Sequence, residues 1–411
     1  MLYFSLIMFL LAITTLVRGP VFNYSSIAWF FISWLPGELP WFFALIQIAG
    51  CVLFLLTSDS IGGTEIFSLV IGICTLAIFF HCFVKAWRSG PVLRRSLSAS
   101  LGNDFESRLP SDIGVGSPSA IYYRNWLMPF RYGRPGIERL TDISYSDGER
   151  NKLDIYRLAE TVGHTSYKPV LLHVHGGAWV IGSKYQQAQP LLKYLAQNGW
   201  ICVDINYSLA PGNKFPACIV DVKKAIVWLK ENISDYGGDP NFIAITGGSA
   251  GGHLSALAGL TGNFPQFQPG FEMADTQLQA LIPVYGIYDV TLHDGDGPLM
   301  QQLLERYVMP TKFYEDQAGW KNVSPLYQIS NIHLPTFVIH GDSDCVVPIN
   351  QAQKFVHILK QKNTAPVLYA ELPGAQHGFD IFHSVRTEFH IEAVGKFLHY
   401  CYAEYRGTLT R

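Results

Sequence analysis

The 411-residue sequence predicts an α/β fold, a mostly parallel sheet flanked by helices, preceded by a membrane domain of about three helices. Three observations carry that expectation. Short, apolar, β-branched runs alternate with amphipathic stretches through the second half of the chain. The first 84 residues hold only four charged side chains, Arg18, Glu38, Asp59 and Glu65. A serine flanked by glycines follows directly on one of the apolar runs.

The N-terminal fifth is built for lipid. Leu2–Val17, Pro40–Thr57 and Ile66–Val84 are each close to the ~20 residues that cross a bilayer as a helix. The first lacks the basic start and small-x-small cleavage site of a signal peptide, so it is expected to be retained. A shorter aromatic run, Ile27–Leu35, carries Trp29, Phe30, Phe31 and Trp34 and stops at Pro36-Gly37. It reads as an interfacial segment or the start of a kinked span, because Trp favours the membrane interface and Pro interrupts helices. Lys85, Arg88, Arg94 and Arg95 crowd the exit of the third stretch, whereas Asp59 and Glu65 lie between the second and third. The positive-inside rule then places residue 85 onward on the cytoplasmic side of a multi-pass membrane protein, with Arg18 on the same side.

Residues 1–88 are thus expected to form the membrane region, 89–140 a connector rich in Ser, Arg, Gly and Pro that could fold over the site as a flap, and 141–411 the α/β domain. Within it, Val170–Val174, Trp200–Asn206, Phe242–Thr246, Gln279–Tyr285, Pro335–His340 and Val367–Glu371 have the length and composition of buried parallel strands. The clearest helix is Pro216–Tyr236: proline sits in its first turn, Val222, Ala225, Ile226, Leu229 and Ile233 share a face, and Gly237-Gly238 follows its end. Residues 289–330 form a long insert with one helical piece near Leu299–Tyr307, expected as a cap over the site.

Composition excludes several function classes. A net charge of −2 without Lys/Arg blocks gives no electrostatic footprint for nucleic acid. The seven cysteines show no C-x-x-C spacing, so neither a disulfide framework nor a zinc site is implied. His173 and His175 lie two apart on a strand, but no third ligand accompanies them, and no metal or organic cofactor is expected. The spans carry no ionisable pair of the kind a transport pathway needs.

The chemistry centres on Gly247-Gly-Ser-Ala-Gly251. A serine at the tip of a sharp strand-to-helix turn needs neighbours without bulk, and the preceding run Phe242–Thr246 supplies the strand. A serine hydroxyl attacks poorly until a base takes its proton. His377, in Pro373-Gly-Ala-Gln-His-Gly-Phe-Asp380, follows a predicted strand and is the expected base; the rival His383 falls in what reads as the next helix. The carboxylate that orients the imidazole is assigned to Asp344, just before Val346-Val347-Pro348, in preference to Asp342, which is expected to bond within the turn. His175-Gly-Gly-Ala178 follows the strand Val170–Val174 and offers backbone donors for an oxyanion, each worth roughly 3–4 kcal/mol. The amides of Gly176, Gly177 and Ala250 are the expected donors, with Trp179 and Tyr285 about the substrate pocket. His253 is expected as a packed core residue. Gly247–Gly252 lacks the Lys-Ser/Thr of a phosphate-binding P-loop.

Taken together, His175-Gly-Gly-Ala-Trp179, Asn206–Pro211, Asp235–Pro240, Gly247–Gly252, Tyr285–Asp289 and Glu371–His377 resemble the hormone-sensitive-lipase-like branch of the α/β-hydrolases. The likeness covers about the C-terminal 60% of the chain. It is closest to bacterial membrane-anchored carboxylesterases and lipases. Plant prenylcysteine methylesterases are similar too, and kynurenine-formamidase-like amidases share the His-Gly-Gly-x-Trp turn. The resemblance implies a Ser249–Asp344–His377 triad, an acyl-enzyme and a small-molecule or lipid ester as substrate. A catalytically dead scaffold would show damage at one of these positions, and none is visible. Two departures stand out: Ala178 where many relatives carry a third glycine, and Gly248 where they carry an acidic residue.

Overall fold

The computed structural model describes residues 1–21, 23–58, 61–109, 123–159, 167–292 and 297–409. Four helices open the chain: α1 (Leu2–Thr14), α2 (Tyr24–Glu38), α3 (Pro40–Thr57) and α4 (Gly63–Leu101), followed by a short α5 (Tyr123–Leu127). The α3 and α4 helices are long and apolar enough to cross a membrane. The 13 residues of α1 cover only about 20 Å, less than the ~30 Å hydrocarbon core. Among the described residues, two helices therefore have the length and hydropathy of a span where three were expected.

Eight strands make one sheet: β1 (Ile137–Ser144), β2 (Lys152–Leu158), β3 (Lys168–Val174), β4 (Ile201–Ile205), β5 (Gly238–Gly248), β6 (Ala280–Val284), β7 (Thr336–Gly341) and β8 (Val367–Leu372). Their spatial order is β1-β2-β4-β3-β5-β6-β7-β8, with β1 and β2 antiparallel to their neighbours and β4 through β8 parallel. All six expected parallel strands are present, and their ends differ by a few residues. The strands β1 and β2 carry no continuous apolar run. Asp154 of β2 is buried, its charge met by Arg139 of β1 and by Lys184, both at 2.6 Å. Ion pairs inside the sheet edge hide its strand pattern.

The connecting helices are α6 (Gln189–Gln197), α7 (Ala217–Asn232), α8 (Ala250–Leu260), α9 (Pro298–Leu303), α10 (Gln317–Asn322), α11 (Pro325–Gln328), α12 (Asn350–Lys362) and α13 (Val385–Tyr405). The expected helix 216–236 is α7 plus one tighter turn through Tyr236, stopped by Gly237 at φ 89°. Alternate side chains of each strand feed two layers. Leu172, Val203 and Ile245 pack with α7 and α8, whereas Leu171, Cys202, Ala244 and Ile282 pack with α6, α13 and the second half of α4.

That second half of α4 corrects the connector expected over 89–140. Residues 89–101 continue the helix, burying Leu93, Leu97 and Leu101 in the core of the sheet domain. Ser96 and Ser100 donate to the β8 carbonyls of Tyr369 and Val367, so the polar residues that suggested a loop in fact cover a sheet edge. Strand β1 also begins within the expected connector, and residues 110–122, the middle of the expected flap, lie outside the described residues. One continuous helix of 39 residues, about 58 Å long, thus joins the apolar bundle to the sheet. It passes closest at Gly90, where an added Cβ would come within 2.7–2.9 Å of the Phe389 ring. Gly90→Leu is expected to destabilise the fold by about 1–3 kcal/mol through overpacking; thermal unfolding of the detergent-solubilised variant checks this, and an unchanged midpoint would contradict it.

Within the insert between β6 and β7, α9, α10 and α11 pack on the α8 side. Leu304, Val308 and Trp320 join the core, and the Tyr24 hydroxyl of α2 bonds Gln302 of α9. Residues 293–296 of the expected cap lie outside the described residues.

Candidate active site

The parallel strands end at one edge of the sheet, and the expected site residues gather there. Ser249 sits between β5 and α8 with φ 59° and ψ −122°, a left-handed conformation that a non-glycine residue adopts only when its surroundings hold it. Its N–H donates to the Val284 carbonyl (3.0 Å), and its carbonyl accepts from the His253 N–H (2.9 Å). A Cβ on Gly251 would stand 2.0 Å from the Val174 carbonyl oxygen, and one on Gly247 2.5 Å from the Gly251 carbonyl oxygen. Backbone meets backbone at both positions. Gly251→Ala must therefore push α8 off β3; it is expected to cost more than about 3 kcal/mol and most of the activity, read by thermal unfolding and ester hydrolysis.

Asp344 and His377 come together from the loops after β7 and β8. His377 Nδ1 lies 2.7 Å from Asp344 Oδ2. The other carboxylate oxygen accepts the N–H groups of Val346 and Val347, both at 2.8 Å, which fixes the acid from behind. His340, in the last turn of β7, brings its Nε2 to 3.3 Å from the same Oδ2 and 3.0 Å from the Val347 carbonyl. Burial raises the Asp344 carboxyl, but the charge of His377 and hydrogen bonds from His340 and His377 outweigh it and hold the group well below the usual carboxylate range. Asp342 instead accepts from the Ser343 hydroxyl (2.8 Å) within its turn and from the Gly374 N–H (2.7 Å) of the loop after β8.

The His-Gly-Gly turn runs beside the nucleophile: a Cβ on Gly176 would lie 3.2 Å from Ser249 Cβ and 2.6 Å from the Gly248 carbonyl oxygen. The turn differs from expectation in one respect. The Gly176 N–H donates to Oε1 of Gln187 at 2.7 Å, so this amide is engaged rather than open to an oxyanion. Gly177 (φ 118°) and Ala178 (φ 51°) follow in positive-φ conformations. The left-handed backbone at Ala178 is one that glycine adopts without strain, which fits the third glycine the resemblance implies at this position. Removing its Cβ by Ala178→Gly is expected to stabilise the chain by up to about 1 kcal/mol, visible as a higher unfolding midpoint.

Tyr285 (φ 37°) is buried, with its ring centroid 4.7 Å from that of His377 and its hydroxyl bonded to Asp380. The same ring fills the space a side chain at Gly248 would need, with contacts of 2.6 Å to a built Cβ. An acidic residue at 248 is therefore incompatible with this tyrosine. Trp179, only 1% exposed, packs edge-on against His253 beneath the turn and does not line an open pocket. His253 is a packed core residue as expected, held between Trp179 and Phe215 with Nε2 bonded to the Val323 carbonyl (2.8 Å). His173 pairs with buried Asp204 at 2.7 Å. Among the described residues no cluster of three or more His, Cys, Asp or Glu side chains could hold a metal.

The sequence reading missed Gln187, His340 and Gln376. Gln376 adjoins the base and accepts from the N–H groups of Cys345 (3.2 Å) and His377 (3.3 Å), bracing the two loops against each other. Glutamine carries no signature of such a role, and only its place beside His377 pointed to it.

The sheet order, the strained serine and the hydrogen-bonded Asp–His pair define the class, an α/β-hydrolase. Residues 153–359, just over half of the chain, match the BD-FAE family, and the chain belongs to that family. It is 51% identical to the probable carboxylic ester hydrolase LipM of Mycobacterium tuberculosis over 64% of this chain and 61% of that protein. Esterase LipQ of the same organism is 42% identical over 78% of this chain and 77% of its own length. Identity to the isoprenylcysteine α-carbonyl methylesterase of Arabidopsis thaliana is 27%, over 53% of this chain and 52% of that protein. Among solved structures, the butyrate-bound esterase Est2 of Thermogutta terrifontis superposes with a TM-score of 0.52 at 26% identity, covering 67% of this chain and 96% of that one.

Proposed function

We propose that the chain is a membrane-anchored serine carboxylesterase or lipase that hydrolyses lipophilic carboxylic esters through an acyl-enzyme. The observation that carries this reading is the hydrogen-bonded Asp344–His377 pair, with Asp344 buried, at the same end of the parallel strands as a strained serine elbow. In the first half-reaction Ser249 Oγ attacks the ester carbonyl while His377 Nε2 takes its proton, and Asp344 stabilises the imidazolium through Nδ1. The oxyanion is held by the amides of Ala250 and Gly177, joined by Ala178, with Gly176 giving the substrate oxygen room to approach. His377 then protonates the leaving alcohol, and in the second half-reaction it activates the water that frees the acid. The relatives' names, carboxylic ester hydrolase and esterase, support the ester as substrate.

Anchoring rests on α3 and α4. Because α2 touches the catalytic loops and α4 runs into the sheet, the chain leaves and returns on the same side, as a two-span hairpin requires. Arg18, Lys85, Arg88, Arg94 and Arg95 all fall on that side, which supports a cytoplasmic catalytic domain. In this reading the membrane domain ends within α4 near residue 85, and the hydrolase domain takes in the rest of α4.

The test is hydrolysis of p-nitrophenyl esters from acetyl to palmitoyl by the detergent-solubilised chain beside Ser249→Ala. Activity lost by at least about 10³-fold in the variant is expected. Full activity in Ser249→Ala would overturn the mechanism. A wild type active only on methyl esters of prenylated cysteine would move the substrate to that of the plant methylesterases.

A further inference from the structure

The aromatic helix α2 belongs by sequence to the membrane region, yet it docks on the two loops that carry Asp344 and His377. Its buried face is the row Ser26, Ser33 and Gly37 with the rings of Phe30 and Trp34 beside it. Cys345, next to Asp344, directs Sγ to the Ser26 carbonyl at 3.5 Å. Gln376, next to His377, donates to the Ser33 hydroxyl at 3.0 Å. Trp34 Nε1 donates to the Gly378 carbonyl (3.2 Å), and its ring lies 5.1 Å from that of Phe382. At the end of the helix, Arg386 bonds the Gly37 carbonyl (3.1 Å) and pairs with buried Glu38 (2.8 Å).

These contacts place Phe30 edge-on to the His377 imidazole, with centroids 6.3 Å apart and planes at 78°. The ring is half-buried, and Ile27 and Phe31 on the outward side of the same helix are exposed. An apolar strip therefore runs from the base along α2, which passes into α3 through the single residue Leu39.

We infer that α2 is the wall of the ester site that receives the substrate's hydrocarbon chain, with Phe30 as the contact nearest the reacting carbon and Ile27 and Phe31 continuing the path toward the bilayer. This rests on the serine-esterase reading above and assigns its chain specificity. A helix held by both catalytic loops offers a fixed apolar surface at low entropic cost, and each methylene laid against such a surface adds to binding. The ligand class is a long-chain alkyl or acyl ester that partitions into the membrane.

The experiment measures labelling rates of Ser249 in the full-length chain, in one detergent, by fluorophosphonates bearing an ethyl or a dodecyl chain. Serine oxygen displaces fluoride at phosphorus and His377 takes the proton, so labelling reads the nucleophile without needing the natural ester. Wild type is expected to react with the dodecyl probe at least about tenfold faster than with the ethyl probe. Phe30→Ala is expected to bring that ratio near one by slowing the dodecyl probe at least about tenfold more than the ethyl probe, and Phe30→Leu, which keeps apolar bulk and secures the fold, to fall between. No labelling of wild type by either probe would overturn the serine reading and this inference with it. Labelling whose chain preference survives both variants would overturn this inference alone. So would an equal loss of both rates, since Phe30 would then merely prop His377.

Discussion

Asp344→Asn is expected to lower kcat by about 10⁴-fold with the fold intact, whereas Asp342→Asn should change it less than about threefold. In the first variant Oδ1 still accepts the Val346 and Val347 amides, so the loop keeps its shape. The group facing His377 Nδ1 becomes an N–H donor, which forces the imidazole into the tautomer whose Nε2 already carries hydrogen. That nitrogen can no longer take the Ser249 proton, and no carboxylate remains to stabilise the imidazolium. Asp342 by contrast needs only an acceptor oxygen for Gly374 and Ser343, which asparagine retains. Kinetics with p-nitrophenyl butyrate, alongside circular dichroism, checks the pair. Loss of activity in Asp342→Asn with Asp344→Asn near wild type would reverse the assignment.

Acid is expected to unfold the chain between about pH 6 and pH 4. Burial lowers His175 to about 3 and His253 and His399 to about 4, against an ordinary value near 6.5. Each ring is bonded as a neutral imidazole. His175 Nδ1 donates to the Gly176 carbonyl (2.7 Å), His253 Nε2 to Val323, and His399 Nδ1 to Gly395 (2.6 Å) while its Nε2 accepts from Trp200 (3.2 Å). Below pH 6.5 the unfolded chain binds protons at these sites and the folded chain does not. Their stability contribution is therefore complete above pH 6.5 and is lost as pH falls toward 4. At about 1.4 kcal/mol per pH unit for each group, three histidines cost several kcal/mol by pH 4.5, a large share of a typical ~5–15 kcal/mol. Asp344, held low in the folded state, adds to the loss only below about pH 4. Unfolding midpoints measured from pH 7.5 to 4.5 should fall steadily, and a flat profile would contradict the three assignments.

The elements that were legible and those that were not differ in physical kind. Strands β3, β4, β6 and β7 and the second half of β5 are buried on both faces, and in β8 only Tyr369 and Glu371 are partly exposed, so their residues read as largely apolar runs. Strand β2 is also buried, but its Asp154 is neutralised by side chains from other elements, which no local pattern reveals. The second half of α4 looked like a linker because its serines and arginines outnumber the widely spaced Leu93, Leu97 and Leu101 that anchor it. The triad candidates were legible because strand-end loops with Ser, Asp and His in that order are a covalent fact of the chain. The fate of the Gly176 amide was not, since it depends on Gln187 folding back across eleven residues.

The sequence by itself therefore determined the fold class and the apolar N-terminal segment and offered three candidate residues for the chemistry, because periodicity, hydropathy and motif order are properties of neighbours along the chain. Tertiary structure alone decided that α4 is one helix shared by two environments, that Tyr285 occupies the space at Gly248, and that α2 lies against the loop of His377 rather than apart from it. Those outcomes depend on distances between residues tens to hundreds of positions apart, such as Ser33 and Gln376, and only packing fixes such distances.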